Sequence, residues 1–306
     1  MRKKRVVSLL PAATEMVCAL GAAGQLVGRS HECDYPPEVG SLPACTSSNV
    51  DSQTGSAEIE RQVKNLQAQG GPLYLIAAAK LKELHPDVIL TQGQCDVCAV
   101  SLAEVEAIVD QWPGNRPQIV SLSPARLADI WDAIRRVSAA LELGEPGREV
   151  LRALKIRVVD IIEKTCVLNQ KPKVACLEWI EPLMTAGNWI PELVELAGAV
   201  NVGSQPGQHS TWLQWERLAQ LDPEVIISMP CGFSMERARA EMAVLARHPD
   251  WPKLRAVKSR RVFVTDGNQY FNRPGPRIVE SLEMLTEMIH PDRFNYGHRG
   301  KGWEKF

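Results

Sequence analysis

The sequence predicts an α/β protein of two Rossmann-like lobes with mostly parallel sheets, joined by a long helical linker. Three observations predict it. Short apolar runs of strand type alternate with amphipathic helical stretches, and parallel strands need such crossover connections. Residues 124–168 read as helix almost throughout, with Leu127, Ile130, Ile134, Val137 and Leu141 three or four apart and a break at residues 144–147. Beyond that stretch the opening pattern starts again. The expected divisions are an N-terminal lobe (1–123), a linking helical segment (124–168) and a C-terminal lobe (169–306).

In order, residues 5–9 read as a short buried strand, and residues 11–20 as a helix stopped by Gly21 and Gly24. Residues 26–29 form a second strand. Residues 45–55, rich in Ser, Thr, Asn and Gly, form a long loop before a helix over 57–69, which Gly70-Gly-Pro72 breaks. A helix over 73–84 leads through His85-Pro-Asp87 into a strand at 88–91, and a helix over 101–111 precedes a strand at 119–122. The second half echoes the first: Lys173-Val-Ala-Cys-Leu177 repeats the first strand and residues 189–196 its helix, with Ala197-Gly198 as the stop. Leu84-His-Pro-Asp-Val-Ile-Leu90 is answered by Leu221-Asp-Pro-Glu-Val-Ile-Ile227, and Gln118-Ile-Val-Ser-Leu122 by Arg261-Val-Phe-Val-Thr265.

Composition narrows the function. Lys plus Arg number 35 against 36 Asp plus Glu, so no global charge draws the chain to nucleic acid. No apolar run approaches the ~18–20 residues of a membrane-spanning helix, so membrane insertion is not expected. The start, Met1-Arg-Lys-Lys-Arg5 followed by an apolar run to Leu10, imitates an export signal, but Pro11 and Glu15 interrupt it and the segment reads as strand, turn and helix. A cytoplasmic location is therefore expected, with a periplasmic or extracellular one as the alternative if this is an atypical signal.

Two lobes on a stiff connection imply a cleft, and in open α/β sheets ligands sit beyond the carboxyl ends of strands. Those loops hold Tyr35, Trp179 with Trp189, Phe233, and Tyr270 with Phe271, in a chain that is 6% aromatic. Such a wall suits a large flat ligand. The alternative is that these rings cover lobe edges.

The order Val6-Val-Ser-Leu-Leu-Pro-Ala-Ala-Thr-Glu15, Asp34-Tyr-Pro-Pro37, His85-Pro-Asp-Val-Ile89, Glu181-Pro-Leu-Met-Thr-Ala-Gly187 and Tyr270-Phe-Asn-Arg-Pro-Gly-Pro-Arg277 resembles the cobalamin (vitamin B12)-binding proteins of ABC importers, of the class III periplasmic-binding-protein fold. With His31-Glu-Cys-Asp-Tyr35, Cys95-Asp-Val-Cys98 and Pro230-Cys-Gly-Phe233 it is most like a cytoplasmic branch of that family without an export signal. The resemblance covers nearly the whole chain and implies a binding protein, rather than an enzyme, with a corrinoid pinched between lobes. Carried over position by position, it implies ligand contacts from His31, Glu32 and Tyr35, from Gln92 where the family places a tryptophan, from Glu178, Trp179, Met184 and Trp189, from Trp212 and Phe233, and from Tyr270, Phe271 and Arg273. It also implies an acidic residue on each lobe that docks on a membrane permease, Glu216 in the second lobe and Glu58 or Glu60 in the first.

The cysteines set this chain apart from an importer component. Cys33, Cys95, Cys98 and Cys231 fall, with His31, in loops on the expected cleft side. A Cys-x-x-Cys pair needs two further ligands for zinc and the same set of four for an iron–sulfur cluster. A redox disulfide between Cys95 and Cys98, and inert buried thiols, are the alternatives. His31 is also positioned to ligate a corrinoid cobalt through imidazole. No phosphate loop, nucleophile elbow or His-Glu-x-x-His zinc motif appears, so no catalytic residue is expected. The reading is thus a corrinoid or similar metal-containing ligand held by binding, with three rivals: a metal- or cluster-dependent enzyme, the substrate-binding subunit of an ABC importer, and a siderophore- or haem-binding relative.

Overall fold

The computed structural model describes residues 2–93, 100–114 and 116–306. The chain divides into two compact units. The first comprises Met1–Asp51, Arg61–Pro124 and Ala128–Ala153; the second, Ser52–Glu60, Ala125–Leu127 and Leu154–Phe306. The helical stretch expected as a linker, 124–168, is divided between them, 124 and 128–153 in the first unit and 125–127 and 154–168 in the second.

The first half of the chain runs β1 (Val6–Ser8), α1 (Pro11–Ala19), β2 (Leu26–Arg29), β3 (Thr46–Ser48), α2 (Ser56–Ala68), β4 (Tyr74–Ile76), α3 (Ala78–Glu83), β5 (Val88–Gln92), α4 (Leu102–Val109), β6 (Gln118–Leu122), α5 (Leu127–Ala140) and α6 (Gly144–Thr165). Strands β2-β1-β5-β6 form an all-parallel sheet. Its inner strands Val6–Ser8 and Val88–Thr91 are buried residue after residue, as two covered faces require. Val7, Leu9, Leu81, Ile89, Val105 and Val109 form its core.

The basic start is fastened to this sheet. The Arg5 amide donates to Asp87 Oδ2 at 2.8 Å, its guanidinium donates to the Leu84 carbonyl, and Arg2 reaches Asp87 Oδ1 at 2.6 Å. The apolar run that imitates a signal core is β1, hydrogen-bonded on both edges.

Three local expectations are corrected. Residues 73–84 are not one helix: Tyr74–Ile76 pairs antiparallel with Thr46–Ser48, inside what read as a long loop, and only Ala78–Glu83 is helical. The aromatic and β-branched side chains favour the strand over a helical period that only its alanines and lysines support. Residues 144–147 begin α6 rather than break it, because proline fits a first helical turn. The break lies just before, at Glu142, whose φ of 59° is left-handed.

The second unit runs β7 (Lys173–Trp179), β8 (Met184–Thr185), α7 (Ile190–Leu196), β9 (Val200–Asn201), β10 (Thr211–Trp212), α8 (Trp215–Leu221), β11 (Val225–Ser228), α9 (Met235–Leu245), α10 (Arg255–Lys258), β12 (Val262–Thr265), α11 (Ile278–Ile289) and β13 (Trp303–Lys305). Its sheet has the order β10-β8-β7-β11-β12-β13, with β9 beside β7. The central β7, β11 and β12 are parallel, while the β7–β8, β8–β10 and β12–β13 pairs on either side are antiparallel. Ala175, Leu177, Ile226, Val262 and Val264 pack with Leu218, Met242 and Trp251 into one core. Helix α11 is buried along its whole length, and its two inward carboxylates are matched: Glu283 by Arg157 and His298, Glu287 by Trp303 Nε1 and the Gly297 amide. No helix among the described residues is long and apolar enough to cross a membrane.

Candidate functional site

The candidate residues lie where the chain leaves the carboxyl ends of strands. In the first unit, β2 runs into His31. Its Nδ1 lies 2.8 Å from Thr46 Oγ1, which also accepts the His31 amide at 3.1 Å. The ring is tilted against Tyr74 at 5.8 Å, and Glu32 Oε1 stands 4.0 Å from Nε2. These side chains line a small recess with Leu9, Ser30 and Val100. Burial, helped by the Arg29 charge, lowers the His31 pKa, so its imidazole is neutral at neutral pH. Glu32 and Tyr35 are exposed, and Gln92 is half-buried at the end of β5.

Cys33 points inward. It is buried, accepts the Thr14 hydroxyl at 3.0 Å and lies 3.5 Å from Ser30 Oγ. Cys95 and Cys98 lie outside the described residues, and Cys231 is exposed in the second unit. Among the described residues no three His, Cys, Asp or Glu side chains are grouped to hold a metal ion. Of the five expected metal ligands, His31 and Cys33 stand in the first unit and Cys231 in the second.

In the second unit β7 ends in Glu178-Trp179. Glu178 accepts the Ser210 hydroxyl at 2.7 Å, and Ser210 Oγ accepts the Gly187 amide at 3.1 Å. Burial raises the Glu178 pKa, opposed by those hydrogen bonds and by His209. The 203–211 loop lies so close that a Cβ on Gly187 would stand 2.4 Å from the Ser210 nitrogen, which explains the glycine. Trp179 packs edge-on against Phe233 at 5.4 Å, and its buried Nε1 has no hydrogen-bond acceptor among the described residues. Arg237 stacks over the other ring at 3.9 Å from its centre.

Beyond β12, residues 267–271 form a π-helical turn that carries Tyr270 and Phe271. Trp189 Nε1 donates to the Phe271 carbonyl at 3.0 Å. The buried Arg273 reaches Asn268 Oδ1 at 3.1 Å, and the buried Arg277 reaches Gln269 Oε1 at 3.0 Å and lies over the Tyr270 ring. Asp266, below them in sequence, caps the turn through the Gln269 amide; burial raises its pKa against the pull of that bond and of both arginines.

The expected ligand wall therefore has two layers. Trp212 is 58% exposed on edge strand β10, while Met184 and Tyr270 are half-buried. Trp189, Phe233 and Phe271 are core, with Phe271 fully covered. Sequence reading missed Thr46 and Ser210, whose hydroxyls orient His31 and Glu178; neither stands in any motif. Glu216 is exposed in the first turn of α8. Glu58 and Glu60 fall in Ser52–Glu60, which groups with the second unit.

A family model described as periplasmic binding protein matches residues 6–269. The chain belongs to this family. This periplasmic binding protein is 25% identical over 302 residues to a vitamin B12-binding protein of Vibrio cholerae, covering 94% of this chain and 89% of that one. It is 22% identical over 299 residues to an uncharacterised ABC transporter substrate-binding lipoprotein of Bacillus subtilis, covering 95% and 81%. A periplasmic haem-binding protein of a Roseiflexus species shares the fold at a TM-score of 0.70 and 19% identity, covering 95% and 99%. The class III fold expected from the motifs is the fold observed. The cytoplasmic location expected from the sequence draws no support from these relatives; the family and the lipoprotein favour the exported alternative.

Proposed function

We propose that this periplasmic binding protein holds a corrinoid, using the loops at the carboxyl ends of its strands. One observation carries the proposal: the three central parallel strands of the second unit, β7, β11 and β12, all lead at the same sheet edge into aromatic loops, those of Trp179, Phe233 and Tyr270-Phe271. The rings open to a ligand there are the half-buried Tyr270 and the exposed Trp212 of β10, while Trp179, Phe233 and Phe271 are buried and stiffen the loops. Polar anchors stand at the same edge. Glu178, favoured in its protonated form by burial, suits a ligand amide, and Arg273 suits an acceptor oxygen. In the first unit the neutral His31 imidazole is a fitting axial donor to cobalt or haem iron. The likeness to a vitamin B12-binding protein over nearly the full chain supports the corrinoid over haem.

Family membership also favours delivery to an ABC permease, with exposed Glu216 as a docking carboxylate. A metal or iron–sulfur role for Cys33, Cys95, Cys98 and Cys231 is tested separately, by metal analysis of the purified protein. The ligand test is calorimetric titration with hydroxocobalamin and, in parallel, haemin. Micromolar or tighter binding of hydroxocobalamin, weakened about tenfold in Trp212→Ala, is expected from the loss of one stacked aromatic face. Binding of haemin alone would move the assignment to the haem-binding relatives, and binding of neither would overturn it.

A further inference from the structure

Residues Ser52–Glu60 belong to the second unit although the chain on both sides belongs to the first. What holds them there is a short polar clamp. Ser56 is 1% exposed, and its single hydroxyl proton goes to Glu241 Oε2 while its amide donates to Glu241 Oε1 at 3.3 Å. The same hydroxyl oxygen accepts the Glu181 amide at 3.1 Å. One turn before Glu241 on α9, Arg237 donates to the Thr54 carbonyl at 2.9 Å, with its guanidinium over Phe233, which packs against Trp179.

Each bond has a direction that fits no other use. A serine hydroxyl that gives its proton to a carboxylate keeps a lone pair for the Glu181 amide, so Ser56 links α9 to the loop between β7 and β8. Being charge-assisted and buried, the link is stronger than a surface hydrogen bond. Arg237 and Glu241, four residues apart on one helical face, grip Thr54 and Ser56 of the same segment.

We propose that Ser52–Glu60 is a clamp on the ligand loop Glu178–Met184, with Ser56 as its positioning residue and Arg237 and Glu241 as its anchor. The clamp holds the backbone of Glu181, and through Arg237 the Trp179–Phe233 pair, in the conformation that the ligand meets; it sets how long the ligand stays rather than how fast it arrives. This rests on the reading of the Glu178–Met184 loop as a ligand wall.

The test has two arms in the full-length protein. Hydrogen–deuterium exchange of peptides covering residues 52–60 and 178–186, without ligand, is compared in the parent, Ser56→Ala and Glu241→Gln. Loss of one net hydrogen bond predicts exchange about five- to tenfold faster in both peptides, with other peptides unchanged. Stopped-flow release of hydroxocobalamin is expected to quicken several-fold in both variants with the association rate unaltered. Glu241→Gln, which keeps one acceptor, serves if Ser56→Ala does not fold. Unchanged exchange at 178–186 overturns the clamp, and faster exchange with an unaltered release rate overturns its role in retention. If the parent binds no corrinoid, the functional reading fails while the exchange arm still decides the clamp.

Discussion

At the scale of single residues, three side chains carry sharp expectations. His31 pairs with Thr46 and is held neutral by burial and by Arg29. Its NMR titration midpoint should lie below 6.5, and Thr46→Val should leave its fold intact while freeing the ring. Glu178 titrates the other way, because burial favours its protonated form. The folded protein then binds more protons than the unfolded chain at pH values above the ordinary glutamate pKa, so Glu178 makes stability fall as pH rises through that window. Glu178→Gln should therefore gain on the parent from about pH 4.5 upward, by about 1.4 kcal/mol per unit of the native shift, read from urea unfolding at several pH values. Gly187 has no room: Gly187→Ala should cost about 1–3 kcal/mol, because the new methyl meets the backbone of residues 208–210 rather than a movable side chain.

Among secondary-structure elements, α11 and the chain after it form the most tightly specified region. Glu287 takes the Trp303 indole at 2.5 Å and the Gly297 amide at 2.7 Å, and so fixes the turn that returns the chain to pair β13 with β12. Glu287→Ala strands the buried Trp303 indole and frees the Gly297 amide, and should lower stability by about 1–3 kcal/mol in denaturant unfolding. For Glu283, burial pushes the pKa up, but His298 and Arg157 together outweigh it and leave it lowered. None of this was legible in the sequence. The parallel strands were, because β1, β5, β7 and β11 are continuous apolar runs that only two-sided burial explains. So was the repeat, whose His85-Pro-Asp and Asp222-Pro-Glu turns both place a residue of positive φ before proline. The antiparallel β3–β4 pair was not: its strands lie on either side of α2 and have three residues each, too few for alternation to show against the helical period of Ala78–Glu83. At the candidate site the loops were legible and the orientations were not. Phe233 and Phe271 stand in the expected loops after strands, yet the packing around β11 and β12 buries their rings.

For the whole molecule, the lesson is that the units are not contiguous in sequence. The second takes in Ser52–Glu60 and Ala125–Leu127, where Arg126 donates to the Pro206 carbonyl at 2.9 Å and the Leu127 amide to Glu192. A fragment of residues 154–306 lacks both, leaving Arg237 and Glu241 without Thr54 and Ser56. Its urea midpoint should lie below that of the same unit in the intact chain, as followed by a probe confined to it such as the Trp303 fluorescence of a variant lacking the other tryptophans. The near-zero net charge also bears on the molecule entire: association with a permease would depend on local carboxylates such as Glu216, and its salt dependence should be shallow.

The clamp also imposes an order in time. Ser56 and Glu241 are 185 residues apart. At roughly 5–20 residues per second on the ribosome, the serine waits about 10–40 s before its carboxylate is made. Through that interval Ser56 lacks the carboxylate that takes its proton, so this end of the clamp closes only after β1, β5 and β6 have been made.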